Sequence, residues 1–306
     1  MNVLALQGGG CLGKGQATFL QSLEQKAGPL HEAFDLIAGT SVGCLIGACV
    51  ATEVPTARIN QFFDESAPKI FHANPWQLAA ARLFHAAKYN PSALEAALKE
   101  LLLGMTLGDC CTRFLATAVD MATGRNVYFQ SYGASEASED EVVIGPDSGM
   151  LLSDVCRASS AAQTYFPALQ KGPWTFWDGG TTGCNAPDML ALIEAQQFAD
   201  ARSIRMLSLG AGRTSWPYKG SDLVDPGAVT ALKATVRAVY ACGETNEVWQ
   251  ARYLLGSRHI RVNPDLPSAF GIDDASPATL ATIASAWKAE ADRNPLALEF
   301  WNPPTP

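Results

Sequence analysis

The sequence predicts an α/β fold with three layers, in which helices cover both faces of a mostly parallel central sheet. Three observations lead to this prediction. Short apolar runs alternate with helix-like segments through the first 52 residues, glycine-rich turns follow two of those runs, and a further group of apolar runs begins near residue 113. Such an alternation of strand and helix is typical of a parallel sheet that is buried on both faces.

The first four elements are predicted in the order strand, helix, strand, helix. The strands span residues 3–6 and 34–38, and the helices span residues 16–26 and 44–52. Seventeen uncharged residues separate Asp35 from Glu53, a length near the lower limit of about 17 to 20 for a membrane span. Because glycines interrupt this stretch, we expect a buried strand, a tight turn and a buried helix instead.

Residues 53–104 are predicted to form a helical insertion over the sheet. This segment has no convincing strand pattern, and Ser92 with Glu95 after Pro91 forms an S-x-x-E capping box that predicts a helix start. Large apolar residues give the insertion a hydrophobic face: Phe62, Phe63, Phe71, Trp76, Leu83 and Phe84. We interpret this face as a packing surface, with a lid over a lipid-entry site as the alternative.

Sheet elements return in the second half of the chain. Residues 113–132 read as two strands joined near Thr123 and Gly124, and residues 203–212 as a buried strand that ends in glycines. Residues 226–306 are predicted as a C-terminal helical part that closes in coil. Neither an internal repeat nor a long linker is found, so we expect a single domain over residues 1–306.

Composition narrows the classes of function. Hydrophobic residues make up 48% and charged residues 17% of the 306 residues, as is typical of a globular protein with a large core. The net charge is −8 and the basic residues are scattered, so no nucleic-acid partner is expected. Anionic lipid weakly repels an acidic protein, so any contact with a membrane has to be apolar or local.

Cysteine and histidine spacing argues against a metal centre. The eight cysteines form no C-x-x-C pair, and the four histidines are too dispersed to complete a zinc pattern. We expect free, mostly buried thiols, as in a reducing cytosol, and no metal or other cofactor. The sequence starts with an apolar run and no charged leader, which predicts a cytoplasmic protein.

The residues Gly39, Thr40, Ser41, Val42 and Gly43 form a G-x-S-x-G motif between an apolar run and a helix-like run. This context is that of a nucleophile elbow, a sharp strand-to-helix turn that exposes the serine and needs small neighbours. The N-terminus of the following helix directs amides and a positive dipole end toward the hydroxyl. The motif therefore predicts that Ser41 is a nucleophile.

A glycine-rich loop follows the first predicted strand. Gly8, Gly10 and Gly13 match G-x-G-x-x-G, the loop that binds a dinucleotide in Rossmann folds. That function also requires an acidic residue at the far end of the second strand. Asp35 has nearly the right spacing but lies at the start of that strand.

The position of this loop suggests a different anion. It and the G-x-S-x-G turn both follow early strands, so they are expected at the same edge of a parallel sheet. The backbone amides of Gly9, Gly10 and Cys11 would then lie close to the Ser41 hydroxyl. We therefore predict an oxyanion hole, in which the loss of one donor typically costs on the order of 3 kcal/mol of transition-state stabilisation.

Two residues could supply the base that Ser41 needs. The order Ser41, Asp178, His259 allows a Ser-Asp-His triad, but His259 lies in a strand-like segment and reads as a surface or sheet-edge histidine. Asp178 precedes Gly179 and Gly180, where no side chain shields its carboxylate. From the residues alone, Asp178 fits a base and an Asp-Gly turn equally well.

Taken together, these motifs resemble those of the patatin-like phospholipases. Residues 8–13 resemble the family's glycine-rich oxyanion loop, residues 39–43 its elbow, and residues 178–180 its D-G-[AG] box. Residues 156–167 and 207–212 resemble two supporting blocks. The resemblance covers residue 3 to about residue 215 and implies a patatin-like α/β/α fold.

The resemblance also implies a mechanism. Ser41 would attack an acyl ester with Asp178 as its base, a Ser–Asp dyad, and form an acyl-enzyme that water hydrolyses. The implied activity is that of a lipid acyl hydrolase of phospholipase A type, acting peripherally on a phospholipid membrane surface without a metal or other cofactor. Some patatin-like proteins need a small-molecule or protein activator, and some act as antiviral or toxin-like effectors. A homo-oligomer is compatible with this expectation.

Departures from the family pattern leave alternatives open. Leu12 stands where the family usually has arginine or lysine, with Lys14 two residues away; Gln163 replaces a usual proline; and residues 183–187 are a loosened form of an asparagine-rich motif. A general esterase or acyltransferase of the same fold remains an alternative. A nucleotide-binding oxidoreductase that uses the glycine-rich loop is the alternative from another class.

Overall fold

A ten-stranded sheet lies at the centre of the structure, a computed structural model that describes residues 1–73 and 86–294. Its strands are β1 (Asn2–Leu6), β2 (Leu36–Thr40), β3 (Arg113–Asp120), β4 (Arg125–Gln130), β5 (Glu136–Ala137), β6 (Glu141–Ile144), β7 (Leu169–Lys171), β8 (Trp174–Asp178), β9 (Arg205–Leu209) and β10 (His259–Val262).

One half of the sheet is parallel and the other half is mixed. The main path runs β10-β9-β1-β2-β3-β4-β6-β5, and the five strands from β10 to β3 are parallel. Beyond them β4 is antiparallel to β3, and β8 pairs antiparallel with the last residues of β3. The predicted parallel arrangement of the early strands is confirmed.

Helices cover both faces of the sheet. They are α1 (Gly13–Ala27), α2 (Leu30–Ala33), α3 (Val42–Ala51), α4 (Thr56–Gln61), α5 (Ala67–Ile70), α6 (Ser92–Leu102), α7 (Leu152–Ser159), α8 (Asp188–Ala195), α9 (Ala228–Leu255) and α10 (Pro277–Arg293). Alternate residues of β1 point to opposite faces: Leu4 and Leu6 join one buried cluster with α1 and α3, whereas Val3 and Ala5 join another with α8. This arrangement gives the three layers that the sequence predicts.

The uncharged stretch of residues 36–52 forms β2, a turn and the buried helix α3, as predicted. Among residues 1–73 and 86–294, no helix is long and apolar enough to cross a membrane. The predicted C-terminal helical part is interrupted by β10, a short strand at the edge of the sheet. Its terminal coil lies outside the described residues.

The described part of the insertion is helical, but the predicted capping box is wrong. Helix α6 does begin at Ser92, yet the N–H of Ser92 donates to Asn90 Oδ1 at 2.8 Å, and Glu95 Oε1 accepts from Arg157 Nε at 3.3 Å. A carboxylate that pairs with a buried arginine is not free to cap its own helix.

The hydrophobic face of the insertion is only partly visible. Phe62 and Phe63 are buried in the core, and Phe71 is half-buried against it, as expected of a packing surface. Trp76, Leu83 and Phe84 lie outside the described residues, so the lid alternative is not tested by them.

His259 lies on the edge strand, as predicted, but it is not a surface residue. Its Nε2 lies 2.8 Å from Asp188 Oδ1, and both side chains are almost completely buried. Burial alone would raise the pKa of Asp188, but the hydrogen bond from His259 and the charge of Arg261 outweigh it and hold that pKa below its usual value. The ionised Asp188 therefore accepts a hydrogen bond from His259 Nε2 and joins α8 to the sheet.

The buried pair predicts a measurable loss of stability for His259→Ala. Removing His259 leaves a buried carboxylate without its hydrogen-bond donor, so we expect the free energy of unfolding at pH 7 to fall by about 1.5–3 kcal/mol. Because the pKa of Asp188 is lowered in the folded state, the pair stabilises the protein above the unfolded pKa, and the difference shrinks as the pH falls below it.

Urea unfolding curves at pH 7 and at pH 3, which is below the ordinary aspartate pKa of 3.8, measure this effect. His72→Ala is the matched control, since His72 is exposed and such substitutions usually change stability by less than about 0.5 kcal/mol. Equal unfolding midpoints for the two variants at pH 7 would show that the buried pair contributes nothing.

Candidate active site

The turn after β2 has the geometry of a nucleophile elbow. Ser41 has φ 55° and ψ −121°, a left-handed conformation that non-glycine residues rarely adopt. A Cβ on Gly39 would lie 2.3 Å from the carbonyl oxygen of Gly43, and a Cβ on Gly43 would lie 2.2 Å from that of Leu6. A side chain at either position would clash with backbone atoms, so the turn requires glycine at both. Val42 is the first residue of α3, so the helix N-terminus lies directly behind Ser41.

Two side chains fix the elbow in place. The backbone N–H of Ser41 donates to Ser159 Oγ at 2.8 Å. The Thr40 hydroxyl donates to the carbonyl oxygen of Cys184 at 2.6 Å and lies 2.8 Å from Thr117 Oγ1. Polar contacts of this kind restrain a strained turn that local sequence alone would not hold.

The register of β3 brings Asp178 to Ser41. Thr117 of β3 pairs with Thr40, the last residue of β2, and the next residue, Ala118, pairs with Asp178 at the end of β8. The Ser41 hydroxyl consequently lies close enough to the Asp178 carboxylate to favour its ionised form and lower its pKa. The chain thus places a hydroxyl in a strained turn beside a buried carboxylate.

Burial raises the pKa of Asp178 to about 6, although the Gly180 N–H and the Ser41 hydroxyl stabilise the ionised form. The side chain is almost inaccessible to solvent, and its Oδ1 accepts the Gly180 N–H at 2.8 Å. A carboxylate with this pKa is mostly ionised at pH 7 and is a stronger base than an exposed aspartate.

The glycines after Asp178 allow close packing. A Cβ on Gly179 would lie 2.0 Å from Thr117 Oγ1, and a Cβ on Gly180 would lie 2.4 Å from Cε1 of Tyr240. The D-G-G motif therefore lets the chain turn tightly between β3 and α9.

The glycine-rich loop reaches the same place. A Cβ on Gly8 would lie 3.1 Å from Ser41 Cβ, so the loop starts directly beside the serine. Gly10 has φ +57°, and a Cβ there would lie 2.2 Å from the carbonyl oxygen of Ile272. Within the described residues, the N–H groups of Gly9 and Gly10 have no acceptor, which leaves them available to an anion.

The other three residues predicted for the oxyanion hole do not offer a free amide. Cys11 N–H donates to Ile272 O at 2.7 Å, and Gly8 N–H donates to Asn185 O at 2.9 Å. The N–H of Gly13 donates to carbonyl oxygens of the loop itself. Gly13 has a packing role instead, because a Cβ there would lie 2.5 Å from Val42 Cγ2.

The structure also locates the charge that Lys14 carries. Its Nζ is buried and forms an ion pair at 2.8 Å with the largely exposed Asp64, and Leu12 is buried. This lysine is therefore committed to the helices of the insertion. The loop therefore presents backbone amides to Ser41. Neither Leu12 nor Lys14 adds a positively charged side chain there.

Neither the histidine of a Ser-Asp-His triad nor the acidic residue that a dinucleotide site requires lies near the loop. Strand register aligns His259 with Met206 and Met206 with Val3, five residues before Gly8. At about 3.3 Å per residue, His259 lies roughly 15 Å or more from the loop. Asp35 accepts the backbone N–H of Asn2 at 2.7 Å, at the same distant end of the strands, where it cannot hold a ribose beside the loop.

Helix α9 crosses the site, a feature that the sequence did not predict. Tyr240 packs against Gly180 and donates to Gln163 Oε1 at 3.3 Å, while Gln163 Nε2 donates to Thr181 Oγ1 at 2.7 Å. Asn185 is another missed residue: it is buried, and its Oδ1 faces the Cα atoms of Gly8 and Gly180. Only its place in the loosened motif of residues 183–187 could have drawn attention to it.

A second set of contacts ties α9 to the residue before the glycine-rich loop. Gln7 Nε2 donates to Glu244 Oε2 at 2.7 Å, and Arg261 pairs with the other oxygen of Glu244 at 3.0 Å. Arg261 also donates to the Gln7 side chain and to Ser208 Oγ. The Gln7 side chain is thus held by Arg261 of β10 on one side and by Glu244 of α9 on the other.

Comparison with known proteins agrees with this geometry. The family model described as patatin-like phospholipase matches residues 4–190. A cGAMP-activated phospholipase of Pseudomonas aeruginosa (strain BWHPSA011 / Pa011) is 30% identical over 266 residues, which cover 86% of this chain and 78% of that protein.

More distant similarities cover less of the related proteins. A cGAMP-activated phospholipase of Escherichia coli (strain TW11681) is 29% identical over 215 residues, covering 66% of this chain and 57% of its own length. The crystal structure of VipD from Legionella pneumophila has a TM-score of 0.48 and 12% identity, covering 98% of this chain and 66% of that one. Because the family model matches more than half of this chain, the chain belongs to the patatin-like phospholipase family, a family of lipid hydrolases.

Proposed function

We propose that this protein is a lipid acyl hydrolase of phospholipase A type that uses Ser41 and Asp178 as a catalytic dyad. The observation that carries the proposal is the strand register that brings the Ser41 hydroxyl beside the Asp178 carboxylate, which is buried and has a pKa raised to about 6. A nucleophile in contact with a base is the recurring arrangement of covalent hydrolysis. The family match supports a lipid ester as the substrate.

The mechanism follows from the positions of these groups. Ser41 Oγ attacks the acyl carbonyl carbon while Asp178 accepts the hydroxyl proton. The N–H groups of Gly9 and Gly10 stabilise the negative charge on the carbonyl oxygen. Asp178 then returns the proton to the leaving lysolipid alcohol. Water, deprotonated by Asp178, attacks the acyl-enzyme and releases the fatty acid and free Ser41.

The proposed substrate is the acyl ester of a membrane phospholipid, which the protein would reach as a peripheral protein. The Pseudomonas and Escherichia relatives are named as cGAMP-activated phospholipases. We infer that a small molecule also controls this chain, with cGAMP as the first candidate. A role as an antiviral or toxin-like effector, and a homo-oligomeric state, stay predictions.

Removing either member of the dyad is expected to abolish turnover. Ser41→Ala lacks the nucleophile and Asp178→Asn lacks the base, so release of fatty acid from phospholipid vesicles should fall by at least about 1,000-fold in each. Mass spectrometry of the lipid products measures this loss and separates hydrolysis from acyl transfer. His259→Ala is the control: at a temperature where it is folded, it should keep activity within about threefold of wild type.

Two results would contradict the dyad. Wild-type turnover by Asp178→Asn would remove Asp178 as the base. A loss in His259→Ala as large as that in Ser41→Ala would mean that the histidine acts in the chemistry after all.

The raised pKa of Asp178 predicts the acid side of the pH profile. The base must be ionised, so kcat/KM should fall about tenfold for each pH unit below about 6. A water-soluble ester such as p-nitrophenyl butyrate serves as substrate, since vesicle charge then does not change with pH. Circular dichroism at each pH checks that the protein stays folded. A rate that is constant down to pH 4.5 would mean that Asp178 titrates as an ordinary aspartate or is not the base.

Control by a small molecule is tested with purified protein. We expect cGAMP to raise fatty acid release from phospholipid vesicles by tenfold or more, with cyclic di-AMP and GTP as matched nucleotide controls. Isothermal titration calorimetry on Ser41→Ala measures binding without turnover. Full activity in the absence of nucleotide, together with no heat of binding, would contradict activation by cGAMP and leave the dyad proposal intact.

A further inference from the structure

A segment near the C-terminal end of the chain packs against the glycine-rich loop. Ile272 lies in the connection between β10 and α10, and its carbonyl oxygen accepts the Cys11 N–H at 2.7 Å. The same oxygen would lie 2.2 Å from a Cβ on Gly10, so it is in close contact with that residue. Ile272 therefore fixes the peptide group between Gly10 and Cys11.

A second contact with the loop comes from the residues after β9. A Cβ on Gly9 would lie 2.7 Å from Ala211 Cβ, and Ala211 follows the end of β9 by two residues. The loop is thus held at Gly9 by the edge of the sheet, and at Gly10 by the connection that contains Ile272. The position of Gly10 is therefore only as well defined as the position of this connection.

Asp273 anchors the connection. The Tyr89 hydroxyl donates to Asp273 Oδ2 at 2.7 Å, and the Lys88 ammonium group forms an ion pair with the same oxygen. Tyr89 is buried, and the Asp273 side chain is 17% exposed. Hydrogen bonds to an ionised group are roughly twice as strong as those between neutral groups. The residue next to Ile272 is therefore held by two donors at once.

Both donors belong to a part of the chain that contacts the candidate active site. The backbone N–H groups of Lys88 and Tyr89 donate to the carbonyl oxygens of Thr164 and Tyr165, both at 2.8 Å. The rings of Tyr89 and Tyr165 also stack, with centroids 6.5 Å apart. The preceding residue, Gln163, binds the residue after the D-G-G motif. The two donors thus tie the connection over the glycine-rich loop to the framework of that motif.

The neighbouring aspartate has a different role. Asp274 accepts the Ser276 N–H at 3.2 Å and the Thr279 hydroxyl at 2.9 Å, so it holds the start of α10. Of these two adjacent carboxylates, Asp273 is the one whose partners lead back to the candidate active site.

We propose that Asp273 is a positioning residue of the oxyanion hole. It acts through Ile272, which fixes the peptide group between Gly10 and Cys11 and so aims the free N–H groups of the loop at the oxyanion. A displacement of about 1 Å at a reacting centre can cost about 100-fold in rate. The proposal rests on the proposed function, and it adds a residue beyond residues 4–190, the part that the family model matches.

Asp273→Ala tests the proposal, with Asp265→Ala as its matched control. Asp265 lies in the same connection and pairs with Arg213 at 2.8 Å, but its side chain is 79% exposed. With p-nitrophenyl butyrate as substrate, we expect kcat/KM to fall about tenfold in Asp273→Ala and to stay within about twofold of wild type in Asp265→Ala. Titration to completion with a fluorophosphonate counts the active protein, so that a loss of folded protein is not read as a loss of rate.

A pair of ketones separates positioning from folding. Ser41 adds to the carbonyl carbon of 1,1,1-trifluorodecan-2-one, and the resulting oxyanion needs the same N–H groups as the reaction does. Decan-2-one resembles the substrate and forms no stable adduct. In Asp273→Ala the inhibition constant of the trifluoromethyl ketone should rise about tenfold, in step with the loss of kcat/KM, while that of decan-2-one stays within about twofold. A residue that acts only on folding would leave both constants unchanged.

Two milder substitutions test the same link. Asp273→Asn keeps an oxygen that accepts the Tyr89 hydroxyl, so it should restore kcat/KM to within about threefold of wild type. Tyr89→Phe keeps the ring and removes only that donor, which provides a test should Asp273→Ala not fold. Its inhibition constant for the trifluoromethyl ketone should rise about threefold.

Several results would overturn the positioning role. One is an unchanged trifluoromethyl ketone constant in both Asp273→Ala and Tyr89→Phe. Another is an equal loss of kcat/KM in Asp265→Ala, since any ion pair of the connection would then have the same effect. A higher rate in Asp273→Ala would mean that the carboxylate acts only by its negative charge near the oxyanion.

Failure of the proposed function has a different signature. In that case wild type hydrolyses neither p-nitrophenyl butyrate nor vesicle phospholipid, and the positioning role fails with it. If wild type is active and the Asp273 variants match it, only the positioning role is wrong.

Discussion

The site depends on the pairing register of one strand. Consecutive residues of β3, Thr117 and Ala118, pair with the last residue of β2 and the last residue of β8. Strand β8 thus takes over the edge of β3 at the point where β2 turns away into Ser41. A slip of one residue would send the Asp178 side chain to the opposite face of the sheet. Close contact between Gly179 and Thr117 makes such a slip sterically costly, so the geometry of the dyad is set by the sheet rather than by the loops.

Both members of the candidate dyad are held in states that cost stability. A non-glycine residue with positive φ typically costs on the order of 1–3 kcal/mol, and burial penalises the ionised form of Asp178. The neighbouring structure compensates for both. Helix α3 is buried along its whole length behind Ser41, and Ser159 accepts the N–H of Ser41. Strain and desolvation are therefore concentrated at the two residues that we propose as the catalytic dyad.

Local patterns in the sequence predict the strands, helices and turns better than they predict the hydrogen bonds between residues far apart in the chain. Strands β1 and β2, helix α3 and the glycine turns follow from apolar periodicity and from positions that tolerate no Cβ. The Cys11 N–H is not free because it donates to the carbonyl oxygen of Ile272. His259 is buried because its Nε2 has a hydrogen-bond partner in Asp188. These partners are 261 and 71 residues away in the chain, and no pattern in one sequence encodes such pairings. The polar contacts of α9 cannot be predicted for the same reason, since Glu244 and Glu247 bind Gln7, Arg261 and the start of α8.

The contacts of Glu244 connect the outside of the molecule to its chemistry. This carboxylate pairs with Arg261 of the edge strand and accepts from Gln7, the residue immediately before Gly8. Gln7 is also fixed through its backbone, since its carbonyl oxygen accepts from Gln16 Nε2 at 2.8 Å. Any displacement of α9 must therefore strain or break the hydrogen bond between Glu244 and Gln7, two residues before Gly9. Because amides that we propose as an oxyanion hole have to meet the oxyanion within a few tenths of an ångström, a displacement of α9 is expected to reach the proposed chemistry through Gln7.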